Sequence, residues 1–394
     1  MKKIVYIWKG PYPFEIRIQK ICESSANNGY DVTVLCRWDK EAREEETING
    51  VKIIRNGFNK DLRYYYPIPF NPLWKSFLKQ KINEIKPDLI INREFFLMTE
   101  TAPIARKLGI PIIMDMAENY PAAIKEFRNY NNSTLKKIIY HKIKLIDILE
   151  KHAIKHSNGI ITVCQENSDR VIKRFSYPTT ELQVVHNTPL SEWFDEKPIF
   201  RDTPKVLNYM GYVSKERNLE NFIKGFDLYS KEINNELELH IFGSGTELEI
   251  LKQETAKLAN KDKVVFYGNY DHSNLCKFIN AGDIGILPYI NNYFISTTIS
   301  NKMFDYMAMG KPVICTDVPP MRRIIDESKC GVYADCSTPE KCKDSIKLMI
   351  ESYSKKMCDN GIAAFKNKYN WENDEKHLLN FIRKCINIRK YIND

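Results

Sequence analysis

The sequence predicts an α/β protein made of two doubly wound, parallel-sheet domains with a ligand cleft between them. Three observations lead there. Short β-rich apolar runs alternate with helical stretches along the 394 residues, the order that builds parallel sheets. The runs are continuously apolar, as in strands covered on both faces. They are too many for one open sheet, and a break with two prolines and mixed charge, WFDEKPIFRDTP, lies at 193–204.

In the first half the expected strands are 3–8, 31–36, 51–54, 88–91, 111–115, 159–163 and 183–186. In the second half they are 205–210, 238–242, 263–266, 284–287, 312–316 and 331–333. Residues 1–195 then form the first domain, 196–204 a linker, 205–370 the second domain and 371–394 a C-terminal helix. The run 3–8 is too short for a signal peptide and no small-residue cleavage site follows, so it reads as a buried strand. No apolar run approaches the roughly 18 residues of a membrane span.

Composition is that of a soluble globular protein, with 43% hydrophobic and 28% charged residues. Ten cysteines without a C-x-x-C pair suit reduced thiols in a cytoplasmic protein. His152 and His156 are four apart but lack a convincing third ligand, so no metal site is expected. A net charge of +9 is compatible with nucleic acid, an anionic membrane or phosphorylated substrates. No nucleic-acid motif supports the first.

The most informative stretch is 288–317, PYINNYFISTTISNKMFDYMAMGKPVICTD. Pro288 stops an apolar run. Ser300 is a candidate N-cap for an amphipathic helix over 302–309, Gly310 a candidate C-cap, and Pro312 opens the next strand. A helix N-terminus at the edge of a parallel sheet suits an anion, most naturally a phosphate.

This segment resembles the donor-site signature of glycosyltransferase family 4, retaining nucleotide-sugar enzymes with the GT-B fold of two Rossmann-like domains. An acidic residue, Asp305, precedes Tyr306-Met307-Ala308 and Gly310-Lys311-Pro312-Val313-Ile314. The resemblance implies that Asp305 binds the ribose hydroxyls, a task suited to a carboxylate. A glutamate expected eight positions earlier, toward the donor sugar, is Thr297 here. Thr297, Thr298 and Ile299, with Ser300 and Asn301, are expected along the sugar and phosphates. In Tyr209-Met210-Gly211-Tyr212-Val213-Ser214-Lys215-Glu216-Arg217-Asn218, the resemblance puts Arg217 on the diphosphate. Tyr212 stands where a second basic residue is usual and Asn218 where Gly is usual. Lys302 or Lys215 would then substitute. Gly243 and Gly245 match the G-x-G turn that approaches the nucleotide, and Tyr270 is a candidate to stack on the base.

The first domain is less legible. Gly10 follows the first strand, with Arg17 on the next helix; Arg17 would meet a phosphate or acidic acceptor, or form a structural salt bridge. Asp115 and Glu118 follow a strand end and are candidates to hold the acceptor hydroxyl, Glu118 as acid/base or orienting group. Two stretches, 60–81 (aromatics among basic residues) and 136–155 (a lysine-rich amphipathic helix with Ile139, Ile143, Ile146 and Leu149 on one side), suggest weak contact with an anionic membrane surface.

The resemblance implies transfer of a sugar from a nucleoside diphosphate sugar to an acceptor hydroxyl, with retention and without metal or other cofactor. The expected acceptor is a lipid-linked saccharide or cell-surface glycan precursor, and the expected place the cytoplasm, with a peripheral position on the inner membrane face. Arg217, Lys302 and the helix N-terminus would stabilise the leaving diphosphate. The alternatives are a non-catalytic GT-B binding protein and a sugar-nucleotide epimerase.

Overall fold

The computed structural model describes residues 1–13, 15–61, 63–64, 68–126, 144–233 and 236–392. The chain forms two compact units, one of Met1–His186 with Asp374–Asp394 and the other of Asn187–Asn373. Much of the expected helix over 136–155, with Ile139 and Ile143, lies outside the described residues; so do Leu62, Tyr65, Tyr66 and Pro67 of the aromatic stretch and Phe14.

The first unit holds an eight-stranded sheet of β1 (Lys3–Ile7), β2 (Asp31–Arg37), β3 (Glu45–Ile48), β4 (Val51–Asn56), β5 (Leu89–Arg93), β6 (Ile112–Met116), β7 (Gly159–Thr162) and β8 (Leu182–Val184). Its order is β3-β4-β2-β1-β5-β6-β7-β8. All pairs are parallel except the β3–β4 hairpin, which the sequence reading lacks. Asn49 (φ 49°) and Gly50 (φ 78°) turn it, both left-handed, which suits a two-residue hairpin loop. β3 alternates exposed and half-buried side chains, so it has no apolar run to betray it.

The helix Pro72–Ile85 shows how the core is made. Asn71 accepts from the Leu73 and Trp74 N–H groups, Pro72 opens the first turn, and Lys86 (φ 54°) ends it. Trp74, Leu78 and Ile82, four apart, are buried in one cluster with Val5, Ile90 and Met98. The helix Trp371–Ile392 runs from the second unit into the first. There Gly159 makes room for it: a Cβ on that glycine would lie 2.8 Å from the Phe381 ring and 2.9 Å from Cys385 Sγ.

The second unit holds β9 (Val206–Met210), β10 (Glu238–Phe242), β11 (Val264–Gly268), β12 (Ile284–Leu287), β13 (Val313–Thr316) and β14 (Gly331–Ala334). Its order is β11-β10-β9-β12-β13-β14, and its pairs are parallel.

The division between units falls after His186, earlier than the expected limit at 195. Residues 187–195 pack on the second unit: Trp371 N–H donates to Pro189, Ser191 bonds Glu372, and Phe194 meets Phe365 edge-on. The expected linker, 196–204, is no free tether either. Ile199 N–H donates to Asn280, its carbonyl accepts from buried Lys311, and Arg201 pairs with Asp283 at 2.6 Å. All ten cysteines are unpaired and buried. Among the described residues no helix is long and apolar enough to cross a membrane.

Candidate active site

In each unit the chain winds away in opposite directions from a central strand pair, β1 and β5 in the first sheet and β9 and β12 in the second. The carboxyl ends of such pairs leave a crevice where ligands of doubly wound sheets sit.

In the second unit, Gly211 ends β9 at φ 135° and Gly243 ends β10 at φ 141°. A Cβ on Gly243 would lie 1.8 Å from the Gly211 carbonyl, and one on Gly245 2.1 Å from that of Val213. Side chains cannot be added there, so these turns present bare backbone. A Cβ on Gly211 would lie 2.1 Å from Lys302 Cε, which puts the Lys302 side chain directly against the β9 turn.

Arg217 closes a short turn, Lys215–Arg217, with its guanidinium 4.5 Å from the centre of the Tyr289 ring. Asn218 follows at φ 53° and donates to the Cys336 carbonyl at 2.6 Å. The left-handed turn explains why glycine is usual there, and asparagine tolerates it better than most residues. Tyr289, just past β12, is buried and was missed by the sequence reading. Its position, the first residue after the strand-stopping Pro288, was the available signal. Its hydroxyl lies 2.8 Å from that of Ser300. Burial raises the phenol's pKa, but the charges of Arg217 and then Lys302, with hydrogen bonds from Ser300 and Arg217, outweigh it and hold it below its ordinary value. A buried phenol so displaced marks a strongly positive spot.

Ser300 occupies the N-cap of the helix Asn301–Ala308, but its hydroxyl turns to Tyr289 and does not cap. Asn301 is the exposed first residue of that helix. Gly310, expected as C-cap, comes one residue after the cap Met309 with φ 58°, and Lys311 N–H reaches back to Tyr306. Thr297 is buried and its hydroxyl donates to the Tyr293 and Phe294 carbonyls, while Ile299 is also buried. These two shape the loop from behind; Thr298 is half-buried. Asp305 is half-buried, and after burial its charge is the main cause holding the Tyr270 phenol up at about 12. Tyr270 packs edge-on against Phe278, 5.6 Å between centres. Tyr212 is exposed.

In the first unit, Asp115 and Arg17 are fully buried. Asp115 accepts from Tyr6 (2.7 Å), Arg17 Nη2 (2.7 Å) and Arg93 Nη1 (2.8 Å). Arg17 Nη1 donates to the Val185 carbonyl. Burial would raise the Asp115 carboxyl, but the two guanidiniums hold it down at about 2. This corrects the expected acceptor-side role of both: their charges are spent on each other inside the sheet edge. Gly10 is buried, its would-be Cβ 2.7 Å from the Trp8 indole, and its carbonyl accepts from Arg37 N–H. Glu118 is half-buried in the turn after β6.

Two neighbours of Glu118 were missed. Lys9 follows β1, and its ammonium lies 3.3 Å from the centre of the Phe96 ring and 5.2 Å from that of Tyr120. Burial lowers it to about 8, against the opposing pull of Glu94 and Glu118. Glu94 follows β5, buried at 1% exposure. Both obey the strand-end rule that singled out Glu118. Among the described residues, no group of three or more His, Cys, Asp or Glu could hold a metal ion.

Two family models match the chain: Glycosyltransferase Family 4 over residues 15–188 and Glycosyl transferases group 1 over residues 191–367. An uncharacterised glycosyltransferase of Methanocaldococcus jannaschii is 23% identical over 377 residues, 92% of each chain. Among solved structures, sucrose-phosphate synthase of Thermosynechococcus elongatus matches with TM-score 0.73 at 15% identity, covering 98% of this chain and 99% of that one. Anabaena HepE in complex with UDP-glucose matches with TM-score 0.71 at 13% identity, over 98% and 100%. The likeness to these two is one of fold, GT-B, and the two family models make the protein a glycosyltransferase. The chain belongs to glycosyltransferase family 4.

Proposed function

We propose that this enzyme moves a hexose from a nucleoside diphosphate sugar to the hydroxyl of a lipid-linked saccharide or cell-surface glycan precursor, with retention of configuration. The observation that carries the donor half is geometric: Arg217 lies 4.5 Å from the centre of the buried Tyr289 ring, whose hydroxyl meets Ser300 at the helix start, and Lys302 lies against the bare Gly211 turn. Two cations beside bare glycine backbone and an uncapped helix start suit a diphosphate. UDP-glucose, bound by Anabaena HepE, is the first donor to try.

As the glycosidic bond breaks, negative charge grows on the diphosphate. Arg217, Lys302 and the N–H groups at the start of Asn301–Ala308 stabilise it, a role that needs no metal. The acceptor hydroxyl attacks the same face, and its proton passes to a diphosphate oxygen. Asp305 takes the ribose hydroxyls, and the first unit recognises the acceptor.

A lipid-linked acceptor accords with the exposed apolar side chains Tyr64, Ile68 and Phe70, set among exposed Lys60, Arg63, Lys75 and Lys79. We place this patch on an anionic membrane surface. Co-sedimentation with phosphatidylglycerol vesicles, lost in Phe70→Asp, tests it; equal binding to neutral vesicles refutes the charge argument.

The donor assignment is tested by thermal shift and slow hydrolysis with UDP-, GDP-, ADP- and TDP-glucose, with Arg217→Ala and Asp305→Ala as controls. One donor should stabilise and be turned over by the wild type and neither by the variants. Binding without hydrolysis or transfer would favour the non-catalytic alternative, which the back-bonded Thr297 suits best.

A further inference from the structure

Glu94 has a conformation that needs a reason. Its φ is +57°, a left-handed backbone that a bulky side chain adopts rarely and at a cost. Its N–H donates to the Asp115 carbonyl and its own carbonyl accepts from Asn92 Nδ2 at 2.7 Å. The carboxyl is buried at the carboxyl ends of the neighbouring strands β5 and β6. There Oε1 accepts the Ala117 N–H at 2.9 Å, while Oε2 has no hydrogen bond among the described residues. Ala117 begins the turn that carries Glu118.

We propose that Glu94 is a positioning residue of the acceptor site, bracing through Ala117 the turn that presents Glu118, so that Glu118 and Lys9 contact the hydroxyl of a sugar-like acceptor. The site differs from the one expected, since Asp115 and Arg17 are closed off behind it. It rests on the transferase reading above.

The surroundings explain how a buried acid serves there. From β1 comes Tyr6 and from the turn after it Lys9, from the N-cap of the helix Ile16–Asn27 Glu15, from β2 Arg37, from β5 Arg93, and from β6 and its turn Asp115 and Glu118. Arg93 is committed to Asp115 at 2.8 Å, with Glu15 at 3.4 Å and Glu94 only at 4.0 Å. Burial raises the Glu94 carboxyl to about 8, Arg93 opposing and Glu118 and Asp115 adding to the rise. At neutral pH it is therefore a neutral acid, accepting with one oxygen and able to donate with the other. Ionised, it would set a second negative charge beside Glu118. Phe96 and Tyr120, edge to face at 5.0 Å, wall the same spot, and half-exposed aromatics of this kind suit a sugar ring.

The test uses the full chain and hydrolysis of UDP-glucose, with water standing in for the acceptor hydroxyl. Glu94→Gln mimics the neutral acid; Glu94→Ala removes the brace. We expect the alanine variant to lose about tenfold or more and the glutamine variant to recover most of that. Wild-type activity should fall as pH rises through about 8, and Glu94→Gln should lack that fall. Lys9→Arg, which cannot titrate there, should keep it. A glutamine variant as poor as alanine, or an alkaline fall that vanishes in Lys9→Arg and persists in Glu94→Gln, overturns the proposal. If the wild type turns over no donor, the transferase reading fails instead. Glu94 is then judged by infrared titration and hydrogen exchange. A protonated-carboxyl band absent at pH 7, or a 117–119 turn equally protected in Glu94→Ala, overturns it.

Discussion

Asp115 was expected to face the acceptor, and the structure makes it a buried charge knot; Asp115→Asn separates the two. The substitution keeps the shape and removes the carboxylate that pairs with Arg17 at 2.7 Å and with Arg93 at 2.8 Å, leaving Arg93 only Glu15 at 3.4 Å. Among the described residues the Arg17 guanidinium has no other carboxylate within hydrogen-bonding distance, its remaining side-chain bonds going to the Val185 and His186 carbonyls. Leaving a buried charge without its partner costs about 3–5 kcal/mol. Linkage gives a similar size. A carboxyl at about 2 when folded and about 3.9 when unfolded contributes roughly 2.5 kcal/mol at neutral pH. Because the folded value is the depressed one, this contribution is complete above about pH 4 and is lost as pH falls toward 2. Two units need not unfold together, so a single melting curve is the wrong measure. Hydrogen exchange at pH 7 over β1, β5 and β6 is the better one, with β9–β13 as internal control. A loss of about 3 kcal/mol speeds exchange of amides that need unit opening by roughly a hundredfold. Acceleration below about fivefold would mean that the carboxylate contributes little, and would return Asp115 to the list of substrate ligands.

Other perturbations have directions set by the same geometry. Gly211→Ala must displace Lys302 and adopt φ 135°, so donor binding measured by calorimetry should weaken by about tenfold or more while the circular dichroism spectrum is kept. Asn218→Ala loses the Cys336 bond and strains a φ of 53°, costing about 1–2 kcal/mol by denaturant melt of the second unit; Asn218→Gly should cost less because it relieves the backbone. Arg217→Lys keeps the charge but not the planar fork, and should lower UDP affinity several-fold, less than Arg217→Ala. Glu94 binds more protons folded than unfolded between about pH 4 and its folded value near 8, so it makes stability fall as pH rises through that window. Glu94→Gln should flatten this dependence, seen as a smaller drop in the first unit's Tm from pH 5 to pH 8.

Periodicity carried the architecture because strands covered on both faces need continuous apolar runs, and runs such as Ile284–Leu287 leave little choice. β3 escaped because an edge strand with a half-exposed face has no such run. On the donor side, a single contiguous segment holds Ser300, Lys302 and Asp305, and Gly211 and Arg217 lie six apart. Local spacing was therefore enough to nominate them. That Lys302 lies on Gly211, and that Tyr289 gathers both cations, depends on β9 and β12 being neighbours, a pairing between segments far apart in sequence.

On the acceptor side, sequence alone could name charged residues at strand ends but could not tell which were spent on each other. Arg17, Arg93 and Asp115 come from one helix and two strands, and their burial converts the candidates Arg17 and Asp115 into parts of a structural knot with Arg93. Lys9, Glu94 and Glu118 follow three strands that lie side by side, β1, β5 and β6. Residue types and local turns are written along the chain. Desolvation and charge pairing depend on what surrounds a group in space, so only the tertiary structure decided which carboxyl is sealed away and which stands at the opening.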